Sequence, residues 1–164
     1  MSDAIVWKRR LTETAYNDMN RETLQKAVAD VRQVYVDLEQ RPIERNCTRQ
    51  TECCHFKLTG RIPYLTKGEA LVAARALRTA GRKSLPENPS GACPMLESVT
   101  GNCLIYNDRP FGCRTHFCAA AGGPVARREV LDLIRRLEKI DNDLGGSGPR
   151  ILRNAVADAL EELR

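Results

Sequence analysis

The sequence predicts a mainly α fold: a small helical domain wrapped around irregular, cysteine-rich loops. Three observations carry this expectation. Apolar residues recur at helical spacing in both flanks of the chain. The middle runs from Cys47 to Cys118, and its part from Cys93 onward keeps no sustained period and is broken by Pro94, Gly101, Pro110 and Gly112. All seven cysteines (Cys47, Cys53, Cys54, Cys93, Cys103, Cys113 and Cys118) fall in that middle, and none in the flanks.

Each element has its own local reason. Leu24, Ala27, Val28, Val31, Val34, Tyr35 and Leu38 make one apolar stripe, so a helix is predicted over about 20–40. Asn20 offers an N-cap and Arg41-Pro42 a stop. Thr66-Lys67-Gly68-Glu69 has the form of a capping box, with the Thr hydroxyl meeting the N3 amide and the Glu reaching back. It opens a helix through Ala70, Ala73, Ala74 and Leu77 that ends near Gly81. Lys83 to Gly91 is turn-rich loop, and only Leu104-Ile105-Tyr106 has the character of a short strand. After Gly122-Gly123-Pro124, Val130, Leu133, Ile134, Leu137 and Ile140 form a helical face that Gly145-Gly146 terminates. Pro149 then takes an N1-like place before Ile151, Leu152, Ala155, Val156, Ala159, Leu160 and Leu163. Residues 125–164 therefore read as a helical hairpin, packed on the core or on a second copy. Residues 1–164 read as one domain with a cysteine core over 47–118.

Composition narrows the class. At 164 residues and 42% hydrophobic, the chain can bury a core without disulfides, though with 5% aromatics that core must be Leu, Val, Ile and Ala. No stretch suits a signal peptide or the roughly 20 apolar residues of a membrane helix. The expectation is a cytoplasmic protein with reduced thiols and no membrane partner. Seven thiols cannot all pair, so a disulfide framework is the minor reading. The net charge of +5 gathers partly around the first cysteines, with Arg41, Arg45, Arg49, Lys57 and Arg61 against Glu44 and Glu52. Such a field favours thiolates or an anionic cofactor, but a solvated basic surface is the simpler account. Nucleic-acid binding is not expected, because no helix-turn-helix, zinc-finger or stacking-aromatic pattern accompanies the charge.

Clustered cysteines in a reducing compartment point to metal binding or redox chemistry. The first block is Cys47-Thr-Arg-Gln-Thr-Glu-Cys53-Cys54-His55. The second runs from Cys93-Pro-Met-Leu through Gly101-Asn-Cys103-Leu-Ile-Tyr106-Asn-Asp-Arg109-Pro110-Phe-Gly-Cys113-Arg114 to His116-Phe-Cys118. No C-x-x-C occurs, which excludes the zinc knuckle, the zinc ribbon, the bacterial ferredoxin run and the thioredoxin dithiol. Soft thiolates suit zinc, Cu(I) or an iron–sulfur cluster. One tetrahedral zinc needs four ligands, so seven thiols favour an iron–sulfur cluster over zinc, or two sites, or some cysteines as packing residues. All seven are candidate metal ligands, with His55 and His116 as further donors. Adjacent Cys53 and Cys54 should point apart. Arg114 is assigned to the cofactor, donating to sulfur and offsetting its charge. Arg109-Pro110 is read as the turn that presents Cys113, and Tyr106 as core.

The second block resembles the YkgJ-like "CxxCxxCC" cysteine-cluster proteins, a family described as zinc- or iron-chelating. The likeness covers about Cys47 to Cys118, with Thr66 to Ala70 matching the family's usual helix start. In the first block Gln50 stands where the family carries its second cysteine. The resemblance implies a cluster or zinc held by both blocks, an associated redox role, and an electron donor or protein partner. The same domain type occurs in flagellin lysine methylases associated with an iron–sulfur cluster, so it also implies a methylase-like alternative. A purely structural zinc module that recruits a partner is the other. An enzyme reading rests on the resemblance alone, since no glycine-rich nucleotide loop, radical-SAM C-x-x-x-C-x-x-C or Ser/His/Asp arrangement is present.

Overall fold

The computed structural model describes residues 3–45, 47, 49, 51–88 and 90–164, with side chains described from Asn20 onward. The fold is mainly helical, as the two flanks require. Helix α1 runs Asp3–Glu39, well before the expected start. Asn20 is exposed inside the helix and caps nothing, because no proline or glycine before it halts propagation. The stop is where Arg41-Pro42 puts it, since a proline biases the preceding residue away from helix. After the one-turn α2 (Phe56–Thr59) and strand β1 (Tyr64–Leu65) comes α3 (Lys67–Thr79). The one-turn α4 spans Phe111–Arg114. Helix α5 (Leu131–Asp143), strand β2 (Arg150–Ile151) and α6 (Leu152–Glu162) complete the order.

Helix α3 is the axis of the molecule. Residues 68–74 and Leu77 are all buried, which requires neighbours on nearly every side. Those neighbours are α1, α5 and α6. Small side chains allow the approach: a Cβ added at Gly68 would lie 2.9 Å from Val31 Cγ2 and 3.0 Å from Ile140 Cγ2. The capping box forms as expected, with Glu69 N donating to Thr66 Oγ1 (3.4 Å) and Thr66 N to Glu69 Oε2 (3.0 Å). Glu69 Oε1 also accepts from Phe111 N at 2.9 Å, which ties the cap to α4. Burial pushes the Glu69 carboxyl up from its usual range, and these donors oppose that shift. Buried Asp141 accepts from Lys67 N at 2.6 Å, satisfying an amide that the first turn of α3 would leave orphaned.

The C-terminal half departs from a simple hairpin. Helices α5 and α6 both pack on α3 instead of chiefly on each other. Gly145, at φ +68°, closes α5 with its N–H to Asn142 O, and Gly146 N donates to Asp141 O. Pro149 is not at N1. Arg150 and Ile151 first pair antiparallel with Leu65 and Tyr64, and the helix begins at Leu152. Nor is there a strand over 104–106. Tyr106–Asp108 is a 3-10 turn, and the nearest pairing is a single bridge between Leu96 and Cys103. One apolar cluster links α1, α3, α5 and α6 to the loops through Cys93, Met95, Ile105 and Phe111.

Candidate metal centre

The cysteine loops are assembled by backbone bonds across the two blocks. Leaving α1, the chain passes Arg49 and Thr51, both in the left-handed region at φ +59° and +57°, and turns into a 3-10 segment over Glu52–Cys54. Neither residue is glycine, so each position carries strain of roughly 1 kcal/mol or more. Cys54 O accepts from Cys93 N at 2.7 Å, joining the first block to the second. Leu104 N to Met95 O (2.8 Å), Glu97 N to Asn102 O (2.9 Å) and the Leu96–Cys103 bridge then fold residues 93–103 into a small closed loop. Cys113 rides on α4. The segment before it is held to α1 by Arg32, whose Nε donates to Asp108 at 3.0 Å.

Six cysteines, Cys47, Cys53, Cys54, Cys93, Cys103 and Cys113, line one cavity of about 490 Å³. Cys118 lies outside it, bordering a cleft of about 30 Å³ with Cys47, Cys53 and His116. All seven are free thiols. Cys53 and Cys54 were expected to diverge. Instead both face the large cavity and hydrogen-bond to each other, because the 3-10 turn replaces the extended backbone that would alternate them. Among the described residues, no three histidine, cysteine, aspartate or glutamate side chains are already gathered closely enough to hold a metal ion.

Electrostatics divides the thiols. The Cys54 S–H donates to Cys53 and brings its thiol down to about 6, with help from a backbone amide and the Arg109 charge. Cys54 is pushed up by the same hydrogen bond and by burial. Burial also raises Cys93 to about 12, and raises Cys103 and Cys113. A metal ion reverses this preference, since a coordinated thiol is deprotonated outright.

Arg49, Arg61 and Arg109 make the cationic side of the cavity, with His116 beside them, and no carboxylate among the described residues lines it. Arg61 donates to His116 Nδ1, which is therefore the unprotonated ring nitrogen. Burial, then the Arg61 charge, lowers the His116 pKa. His55 does not line the cavity, and Gln50 lies outside the described residues.

The two arginines exchange their expected places. Arg114, assigned to the sulfur atoms, does not line the cavity. It is buried against α1, with Nε on Arg109 O (2.9 Å), NH1 on Glu39 (2.6 Å), NH2 on Asn107 O, and its guanidinium 4.2 Å from the Tyr35 ring centroid. Arg109, expected only to shape a turn, faces the thiols. Tyr106 is not core: it lines the cavity, with the guanidinium carbons of Arg109 and Arg49 at 4.1 and 4.3 Å from its ring centre. Such cation–π contacts fix the arginines in place.

No family model matches this chain, and no curated protein or solved structure matches it. Among the described residues, no helix is long and apolar enough to cross a membrane.

Proposed function

We propose that this protein binds a thiolate-held metal centre, an iron–sulfur cluster or zinc, in the cavity between its two cysteine blocks. The observation that carries the reading is that six free cysteines line one cavity and that no carboxylate among the described residues lines it. The donor set fits: soft sulfur ligands suit iron–sulfur clusters and zinc and do not suit magnesium or calcium. Cys53, Cys93, Cys103 and Cys113 are the ligands we assign first, with Cys47 and Cys54 beside them. The residues sit on loops with little regular structure, so binding would draw the sulfur atoms inward and order those loops. When bound, a cluster supplies one-electron redox chemistry and a zinc supplies structural closure or Lewis acidity. The cluster is favoured because the domain type this sequence resembles occurs with iron–sulfur clusters; the thiol count does not decide, since either centre takes four of the six. The likeness to the cysteine-cluster family belongs to this same proposal, and so does a redox role with an electron-donating partner.

The test is elemental analysis with an absorption spectrum on protein purified without oxygen. Near-stoichiometric iron with visible sulfur-to-iron absorption is expected. Colourless protein loaded with zinc would move the assignment to zinc. Protein that carries neither metal, and takes up neither on reconstitution, would end the proposal.

A further inference from the structure

We propose that Arg109 is the positioning residue of this centre: its Nε–H donates a hydrogen bond to a metal-bound cysteine sulfur, and its charge offsets that of the thiolates. The inference rests on the metal-binding reading above.

Among the described residues only two buried side-chain nitrogen or oxygen atoms lack a hydrogen-bond partner, the Tyr35 hydroxyl and Arg109 Nε. Folded chains pair nearly all such groups, and an orphaned donor asks for an acceptor the protein alone does not supply. The Tyr35 side chain does not line the thiol cavity, whereas that of Arg109 does. Its guanidinium is held over Tyr106, so the donor is fixed in direction before any ligand arrives. Arg109 takes part in no ion pair among the described residues, although ion pairs are common elsewhere on the molecule. No carboxylate among the described residues lines the cavity, whose wall carries six thiols beside the neutral acceptors of Thr51 and Asn102. An arginine N–H on a thiolate is a charge-assisted bond, and bonds of that kind tune metal affinity and cluster potential.

The plainer role is the turn. Arg109 adopts the extended backbone that Pro110 demands, and its carbonyl accepts from Arg114 Nε. Those backbone features survive a side-chain substitution, so the two roles separate.

The experiment loads full-length protein with cobalt(II), whose bond to thiolate sulfur gives an intense near-ultraviolet charge-transfer band. A hydrogen bond lowers the energy of the sulfur lone pair, so its removal lets the band fall to longer wavelength. Arg109→Gln is expected to red-shift the band and weaken cobalt binding about tenfold, the lower end for loss of such a partner. Arg109→Lys keeps the charge but not the planar fork, so the band should still shift while less affinity is lost. Tyr35→Phe should leave the band in place. Unfolding curves for each variant identify any that fail to fold, with Arg109→Lys as the milder replacement. An unmoved band in both Arg109 variants overturns the inference, as does a Tyr35→Phe shift equal to that of Arg109→Gln. If Arg109→Lys matches wild type in band and affinity, the hydrogen bond is refuted. Wild-type protein that shows no thiolate band and holds neither iron nor zinc removes the metal-binding reading itself, a distinct failure.

Discussion

Arg114 joins three separate pieces of chain through one side chain. Its guanidinium bonds the carbonyls of Asn107 and Arg109 and the Glu39 carboxylate at the end of α1, with the Tyr35 ring beneath it. Glu39 is two-thirds exposed, so that ion pair alone is worth little. The two carbonyls matter more, because removing their donor leaves acceptors short of partners in a partly buried site. Arg114→Met should therefore cost about 2–3 kcal/mol, read as a lower urea midpoint, and Arg114→Lys about half of that. A midpoint within about 0.5 kcal/mol of wild type would show that water replaces the bonds. Sequence places Arg109 four residues before Cys113 and Arg114 one after it, near enough for either to reach sulfur. Which of them faces sulfur is decided by the short α4 turn and by where α1 passes, and neither is written in cysteine spacing. The same limit hid Tyr106. Its ring holds Arg109, three residues on, and also Arg49, which is remote in sequence and in a left-handed conformation that no local signal announces.

Among the elements, α3 was the most legible and is also the most tightly constrained. Its capping box and alanine-rich run are local features, so they survive unchanged from sequence to structure. The start of α1 and the role of Pro149 were not local. Asn20 has the chemistry of a cap but no break before it, and Pro149 precedes two residues that β1 claims as a partner strand. At Gly68 helix α3 lies against side chains of both α1 and α5, and Gly68→Ala sets two effects against each other. Alanine gains up to about 1 kcal/mol in helix propensity, less in a first turn. The added methyl must displace Val31 and Ile140, both side chains of packed helices, and such overpacking costs about 1–3 kcal/mol. Packing should win, lowering the melting temperature by several degrees for a domain of this size. A variant that melts at or above wild type would mean that α1 and α5 can separate without cost.

At the scale of the whole molecule, a helical frame carries irregular loops that enclose a thiol-lined cavity. One apolar core around α3 runs into the cysteine loops through Cys93, Met95, Ile105 and Phe111, while the described loops on either side of β1 and α3 have short turns, one bridge and a cavity in place of a sheet. The number and clustering of cysteines were plain in the sequence. Their division into six around one cavity and Cys118 beside another was not, since it depends on how α1 and α4 orient the two blocks. That division makes an unequal mutational series. Cys93→Ser and Cys113→Ser should lose most bound metal, while Cys118→Ser should keep it. The stability linked to binding follows the same order. Metal at a hundredfold excess over its dissociation constant adds about 2.7 kcal/mol to the folded state, if the unfolded chain binds none. Thermal melts of wild type and of Cys118→Ser should both rise on metal addition and fall with a chelator. The melts of Cys93→Ser and Cys113→Ser should barely respond. If Cys118→Ser instead loses metal and its thermal response with the other two, the cleft it borders belongs to the same centre. The cavity would then have to close far enough for all seven sulfurs to take part.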